Sequence, residues 1–333
     1  MKKLIILAVV VSTAALILIG GGQTAIAATT CTFTTVGSTM TLDGDCTTDA
    51  TIVIPDGYTL DGAGHTITAV DPSGGHFLGA VVKNAGATAH VKKLTVTASG
   101  LANVCDPGSP TDTRLRGILF DGASGSITHN TVVDINQGAS GCQEGNAIEV
   151  RNAPFDGTHP GTVTVEVAHN EISDWQKTGI VANGDVNVSI HHNAVGASAT
   201  QDDLAANSIQ LGFGAIGSVK HNNVDGNQWK GTSFFAASGI LIFAADTVNV
   251  SQNNVGGNSD VGIFVVSDGG TYDNNRVFDE GSDHVNSSYD IGVGNYYTTT
   301  DNAITNNKVR GFDTPYDNVT DGKNKVIPGP QSF

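Results

Sequence analysis

A six-residue motif, [Ile/Val/Tyr]-x-x-Asn-x-[Val/Ile], recurs seven times between Ile127 and Val309 and leaves few folds open to the chain. Its centres are Asn130, Asn170, Asn193, Asn222, Asn253, Asn275 and Asn307. A second apolar run precedes each copy, as Gly117-Ile118-Leu119-Phe120 precedes the first and Gly262-Ile263-Phe264-Val265 the sixth. Run and Asn stand 12 or 13 residues apart in five copies, and the shortest full period, Ile240 to Ile263, is 23 residues. A unit that short cannot bury its own apolar face, so units must stack to make a core. Short β-branched strands, with Asn allowing a left-handed bend between two of them, wind into a parallel coil of three strands per turn. Adjacent coils then lie about 4.8 Å apart, with equivalent side chains piled into ladders. The Asn ladder is expected to satisfy buried backbone groups at the bend.

Together with this repeat, Thr59-Leu60-Asp61-Gly62-Ala63-Gly64-His65-Thr66-Ile67 resembles the opening coil of the pectate-lyase-like right-handed parallel β-helix repeat proteins. The resemblance runs from about Thr51 to Val309. It implies an all-β, single-domain right-handed parallel β-helix of three short sheets and about nine to ten coils over residues 51–313. A cap at 28–50 and a C-terminal cap or tail at 314–333 are expected to flank it. Lyases, hydrolases, epimerases, adhesins and phage spikes share that fold, so function must be argued from the site.

The ends and the charge narrow the setting. Lys2 and Lys3, the apolar run Leu4 to Ile19 and the small residues Ala25 and Ala27 read as a secretory signal peptide over residues 1–27. A secreted chain with no membrane segment after cleavage is therefore expected. Four cysteines suit an oxidising compartment, and pairing nearest neighbours gives Cys31–Cys46 and Cys105–Cys142. Acids outnumber bases 32 to 16, which disfavours nucleic acid and anionic membranes as partners. The expected partner is a polysaccharide, and the expected state a monomer. No cofactor is firmly implied, although Asp-bearing turns can collect Ca²⁺.

Extra residues gather on both sides of one strand. Insertions precede Ile148, Ile209, Ile240 and Ile291, and one follows Val150, carrying Asp156 and His159. Loops flanking one sheet from both sides make a groove. Alternation points Leu119, Glu149, Val181, Gln210, Leu241, Phe264 and Gly292 outward into it. The polar patch there supplies the candidate catalytic residues Glu149, Arg151 and Lys177, with Asp202 and Asp203 on a loop; a carboxylate beside a cation can run acid–base chemistry. Trp175, Gln210, Trp229 and Lys230 are the candidate substrate-binding residues, because an exposed indole suits a sugar face. Gln201-Asp202-Asp203 resembles one polygalacturonase motif, while that family's Asn-Thr-Asp, His-Gly and Arg-Ile-Lys motifs do not occur. The Arg-centred signature and Trp-x-Asp-His element of pectate lyases are missing too.

His129, His169, His192 and His221 each precede a ladder Asn on successive coils. Stacked imidazoles are candidate ligands for Zn²⁺ or Cu²⁺. Alternatively the slot wants only a small planar polar group, since it becomes Gln252, Asn274 and Asn306 later. Three readings follow: a polysaccharide lyase or glycoside hydrolase, a non-catalytic polysaccharide-binding or adhesion module, and a metal-binding β-helix.

Overall fold

The computed structural model describes residues 29–328 apart from 109–110, 139–140, 154–159, 199–203, 232–234, 280–288, 297–300 and 321. The signal-peptide segment, Asp156, His159, Asp202 and Asp203 therefore lie outside the described residues. The chain is a right-handed parallel β-helix whose strands form three sheets of 11, 10 and 11 members. We label them A, C and B, and each coil passes through C, then A, then B. One such coil is Arg116–Asp121, Ser124–Thr128 and Thr131–Val133. Strands pair in parallel with their equivalents one coil away, except that Phe33–Val36 pairs antiparallel with Thr39–Leu42 to open sheet A.

The winding runs beyond 51–313 at both ends. Cys46–Thr48 already pairs with Thr66–Ala69, and Thr314–Asp317 and Lys325–Val326 still pair in sheets C and B. The expected caps are thus partly coil. Both nearest-neighbour disulfides form, Cys31–Cys46 and Cys105–Cys142.

The Asn residues stack in register. Each donates its side-chain N–H to the next ladder Oδ1 at 2.9–3.1 Å, in unbroken order from Asn130 to Asn307 and on to Asn324. From Asn170 onward each Oδ1 also accepts the backbone N–H of the Asn one coil back, as Asn222 does from Asn193 at 2.9 Å, and Asn130 Oδ1 accepts that of Leu94 at 3.1 Å. One detail of the expectation is corrected: Asn does not adopt the left-handed bend. The preceding residue does, with φ of 55–58° at His129, His169, His192, His221, Gln252, Asn274 and Asn306. That explains the slot's composition, because His and Asn are enriched among non-glycine residues tolerating positive φ.

A second packing rule ties the two motifs together. The Gly that opens the sheet C strand faces the motif Val of its own coil. A Cβ on Gly239, Gly262 or Gly292 would stand 2.2–2.4 Å from a Cγ1 of Val255, Val277 or Val309. The corner between sheets B and C closes only because one partner lacks a side chain. Inside, Ile118, Ile148, Ile180, Ile209, Ile240 and Ile263 form a fully buried column.

Candidate functional site

Strand register fixes what the outer face of sheet C presents. Lys83, Leu119, Glu149, Val181, Gln210, Leu241, Phe264 and Gly294 occupy its middle row. The row matches the expected one except at its end. Val293, not Ile291, pairs with Ile263, so Gly294 takes the place assigned to Gly292. Flanking rows run Arg116, Asn146, Thr178, Asn207, Ser238, Val261 and Asp121, Arg151, Asn183, Gly212, Phe243, Val266. Read along the axis, the face changes from charged through amide-bearing to apolar.

The charged end is a closed network. Asp112 receives Arg114 and Arg116 on both oxygens and Arg151 NH1 on Oδ2, at 2.6–2.9 Å. Glu149 Oε2 accepts Arg116 Nε at 2.6 Å and Asn146 Nδ2 at 2.8 Å, and Glu149 Oε1 lies 3.8 Å from Arg151 NH1. Asp121 Oδ2 takes Lys83 Nζ at 2.8 Å and Arg151 NH2 at 3.0 Å. Burial alone would raise the carboxyl pKa values of Glu149 and Asp112. The adjoining guanidinium groups outweigh it, and both are held below the usual range. Glu149 and Arg151 do not form the open polar patch expected: both side chains are buried, and Asp112, which holds Arg151, comes from a segment that no Asn motif marks in the sequence. Glu144, from the following loop, fastens that segment by accepting the Asp106 and Leu115 backbone N–H groups at 2.9 and 2.7 Å.

Beyond the network a groove of about 430 Å³ opens over five successive strands of this face, from that of Glu149 to that of Phe264. Glu149, Lys177 and Gln210 line it together with Asn146, Asn183 and Asn207. Phe213, Phe235 and Phe243 form its aromatic side and are 40%, 68% and 40% exposed. Phe213 and Phe243 meet edge to face at 5.4 Å between ring centres. Phe213 also holds φ of 57°, a left-handed conformation that its equivalent Gly184 adopts without cost and a bulky residue rarely takes. Lys177 donates to the Ala205 carbonyl, and burial lowers its pKa to about 8.

Other expected contacts fall elsewhere. Trp175 is fully buried, its indole N–H donating to the Gly196 carbonyl at 3.0 Å, because the short turn after sheet B tucks its aromatic into the corner beside Gly179. Trp229 is half-buried, and neither it nor Lys230 lines the groove; Asp260 Oδ2 holds the Trp229 and Ala237 backbone N–H groups and so folds their loop. Among the described lining residues Glu149 supplies the only carboxylate, whereas a calcium cage takes six to eight oxygens.

The histidines stack at the bend between sheets A and B, away from the groove. Ring centres of His129 and His169 are 4.8 Å apart, and those of His169–His192 and His192–His221 are 5.2 Å apart. A fifth imidazole, missed by repeat reasoning because it lies outside the repeated slot, joins them. His191 Nδ1 is 3.0 Å from His192 Nδ1, and His191 Nε2 is 3.1 Å from Glu166 Oε1. The His192 pKa is lowered, first by desolvation and then by its neighbours His191, His169 and His221.

No protein-family model and no curated protein sequence matches the chain. Among solved structures, that of the Dettilon tailspike protein aligns with a TM-score of 0.51 at 16% identity. The alignment covers 87% of this chain and 55% of the tailspike chain, so this chain spans about half that protein's length. Such a likeness carries the fold.

Proposed function

We propose that this chain is an extracellular β-helix that binds a polysaccharide segment in the groove over sheet C. The carrying observation is the pairing of side-chain amides with exposed aromatic rings along one groove. Asn183, Asn207 and Gln210 offer donors and acceptors to hydroxyl groups, and Phe213, Phe235 and Phe243 offer faces to the apolar side of a sugar ring. The buried Oδ1 of Asn146 at the groove margin has no hydrogen-bond partner among the described residues and adds a further acceptor. The strained Phe213 supports the reading, since such conformations cluster at ligand sites. A tailspike is a neighbour in fold, and two disulfides suit an extracellular setting.

The described charges favour a neutral glycan. Arg114 is tied to Asp112 and Glu149 to Arg116, which leaves Lys177 against an acidic protein. Retention on a panel of immobilised polysaccharides, neutral and uronate-rich, tests the proposal. Gln210→Ala and Phe243→Ala are each expected to reduce retention about tenfold with the circular dichroism spectrum unchanged, since one lost contact of this kind is worth about 1–1.5 kcal/mol. Equal retention of wild type and both variants would refute groove binding.

A second reading is favoured by Lys177 alone. A lysine poised near pH 8 in a groove can abstract a proton α to a uronate carboxyl, the first step of a polysaccharide lyase. Hydrolysis needs two carboxylates about 5–9.5 Å apart, and Glu149 is the only carboxylate among the described lining residues. The guanidinium groups on Glu149 keep it ionised and fully engaged, which suits a structural carboxylate better than a proton donor. Release of unsaturated products from a uronate polymer, abolished in Lys177→Met, would establish the lyase; product release without unsaturation would establish hydrolysis.

A further inference from the structure

We propose that His169, His191 and His192 form a binding site for a late first-row divalent cation, Zn²⁺ or Cu²⁺, with Glu166 orienting His191 from behind. One ligand atom from each of the three histidines lies within 4.8 Å of the others. Two nitrogens held at about 2.0–2.1 Å in a tetrahedron are about 3.3 Å apart. The His191 and His192 Nδ1 atoms, at 3.0 Å, already meet that spacing. His169 is stacked on His192 and edge-on to His191 at 5.9 Å between ring centres, and separations of up to 4.8 Å have to close by at most about 1.5 Å to reach that spacing. His169 and His192 are exposed, so that movement disturbs ring stacking along the column and no core packing.

The backbone makes the convergence possible. Consecutive residues of a strand point to opposite faces, but His192 sits at φ of 55°, and the bend turns its ring back towards His191. The other coils carry Thr128, Ala168, Lys220 and Ser251 before the slot, so the tandem imidazole occurs at this coil.

Protonation is also prearranged. Glu166 comes from the neighbouring coil, where Ala168 is the register partner of His191. An ionised Glu166 accepts a hydrogen bond from His191 Nε2–H, which leaves the Nδ1 lone pair facing His192. Carboxylate–histidine–metal relays hold their ligands in this way. Without metal, His192 Nδ1–H donates to that lone pair; for a cation to take both Nδ1 atoms, His192 adopts its other neutral tautomer, with the proton on Nε2. Lys220, the register partner of His191 on the other side, adds one positive charge nearby, which Glu166 offsets. His129 and His221 flank the trio, each stacked on one ring, and are not ligands.

Calorimetric titration of the folded protein with Zn²⁺, and electron paramagnetic resonance with Cu²⁺, tests the assignment. One ion per chain and coupling to three nitrogens are expected. His191→Asn should weaken binding at least 100-fold, Glu166→Gln about 10–100-fold, and His129→Asn less than threefold. Circular dichroism checks that each variant folds; Asn already occupies the equivalent bend at 274 and 306. Loss of affinity in His129→Asn as large as in His191→Asn would mean a diffuse column in place of a three-histidine site, and overturn the assignment. So would unchanged affinity in His191→Asn, or no measurable binding by the wild type.

Discussion

Asn193 shows how much one side chain carries in this fold. Its amide donates to the carbonyls of Val167 and His191 and to Asn222 Oδ1, and its own Oδ1 accepts two donors from Asn170. Asn193→Ala orphans several buried groups at about 1–3 kcal/mol each, so a loss of about 2–4 kcal/mol in denaturant melts is expected. Asn193→Asp keeps the shape but turns a donor into an anion facing two carbonyl oxygens and another amide oxygen. It should be at least as damaging at pH 7 and recover as the pH falls towards 4, a reversal that a mere packing defect would not show. Lys177 carries the opposite sign. Its folded pKa of about 8 lies below the unfolded value of 10.5, so the unfolded chain binds more protons between those limits. The penalty is full below pH 8 and is relieved as the pH rises towards 10.5. Lys177→Met should therefore raise the melting temperature at pH 7 and have little effect at pH 10.5. The ladder was legible in the sequence because the period forces identical residues into register. Arg116 and Asp112 were not, because the coil before them carries Lys93-Leu94 where later coils carry His and Asn, leaving the 101–115 insertion unmarked. Trp175 was misplaced because turn length says that a residue is near a surface, not which way its ring points.

At the level of strands and corners, the repeat works through the close approach of sheet C to sheet B. Gly262 meets Val277 Cγ1 across that corner, with Phe312 behind it. Gly262→Ala places a Cβ 2.3 Å from that methyl and 2.7 Å from the Gly292 carbonyl. Overpacking of this kind costs about 1–3 kcal/mol. If the corner is the cause, Val277→Ala in the same chain should recover part of the loss, so that the double variant is more stable than the sum of the singles predicts. Strictly additive losses would place the strain elsewhere. The sequence pattern showed Gly leading these strands but gave no reason, because its partner lies two strands on in the same coil, 15 to 17 residues away in the chain. Loops tell the same story: their positions flanking one sheet could be counted, whereas the hold that Glu144 and Cys105–Cys142 keep on the segment carrying Asp112 depends on contacts between two insertions.

For the molecule as a whole, the axial gradient and the net charge pull on a ligand differently. The chain carries a formal charge of −16, while Arg114, Lys177 and Glu149 are the charged residues that line the groove among those described. A bound uronate chain would touch Lys177 at contact distance and feel the remaining acids at longer range. The Debye length shortens from about 30 Å at 0.01 M salt to about 10 Å at 0.1 M. Salt therefore removes distant repulsion before it removes the contact. Affinity for an anionic polysaccharide is expected to rise across that range, and affinity for a neutral one to stay level, as read by retention or calorimetry. The ordinary fall with salt on a polyanion would mean that groove cations outweigh the acidic bulk, and the neutral-glycan assignment would then give way to a uronate ligand. Because Lys177 discharges above pH 8, repeating the titration at pH 9 separates the two sources: the contact term disappears and the long-range repulsion stays.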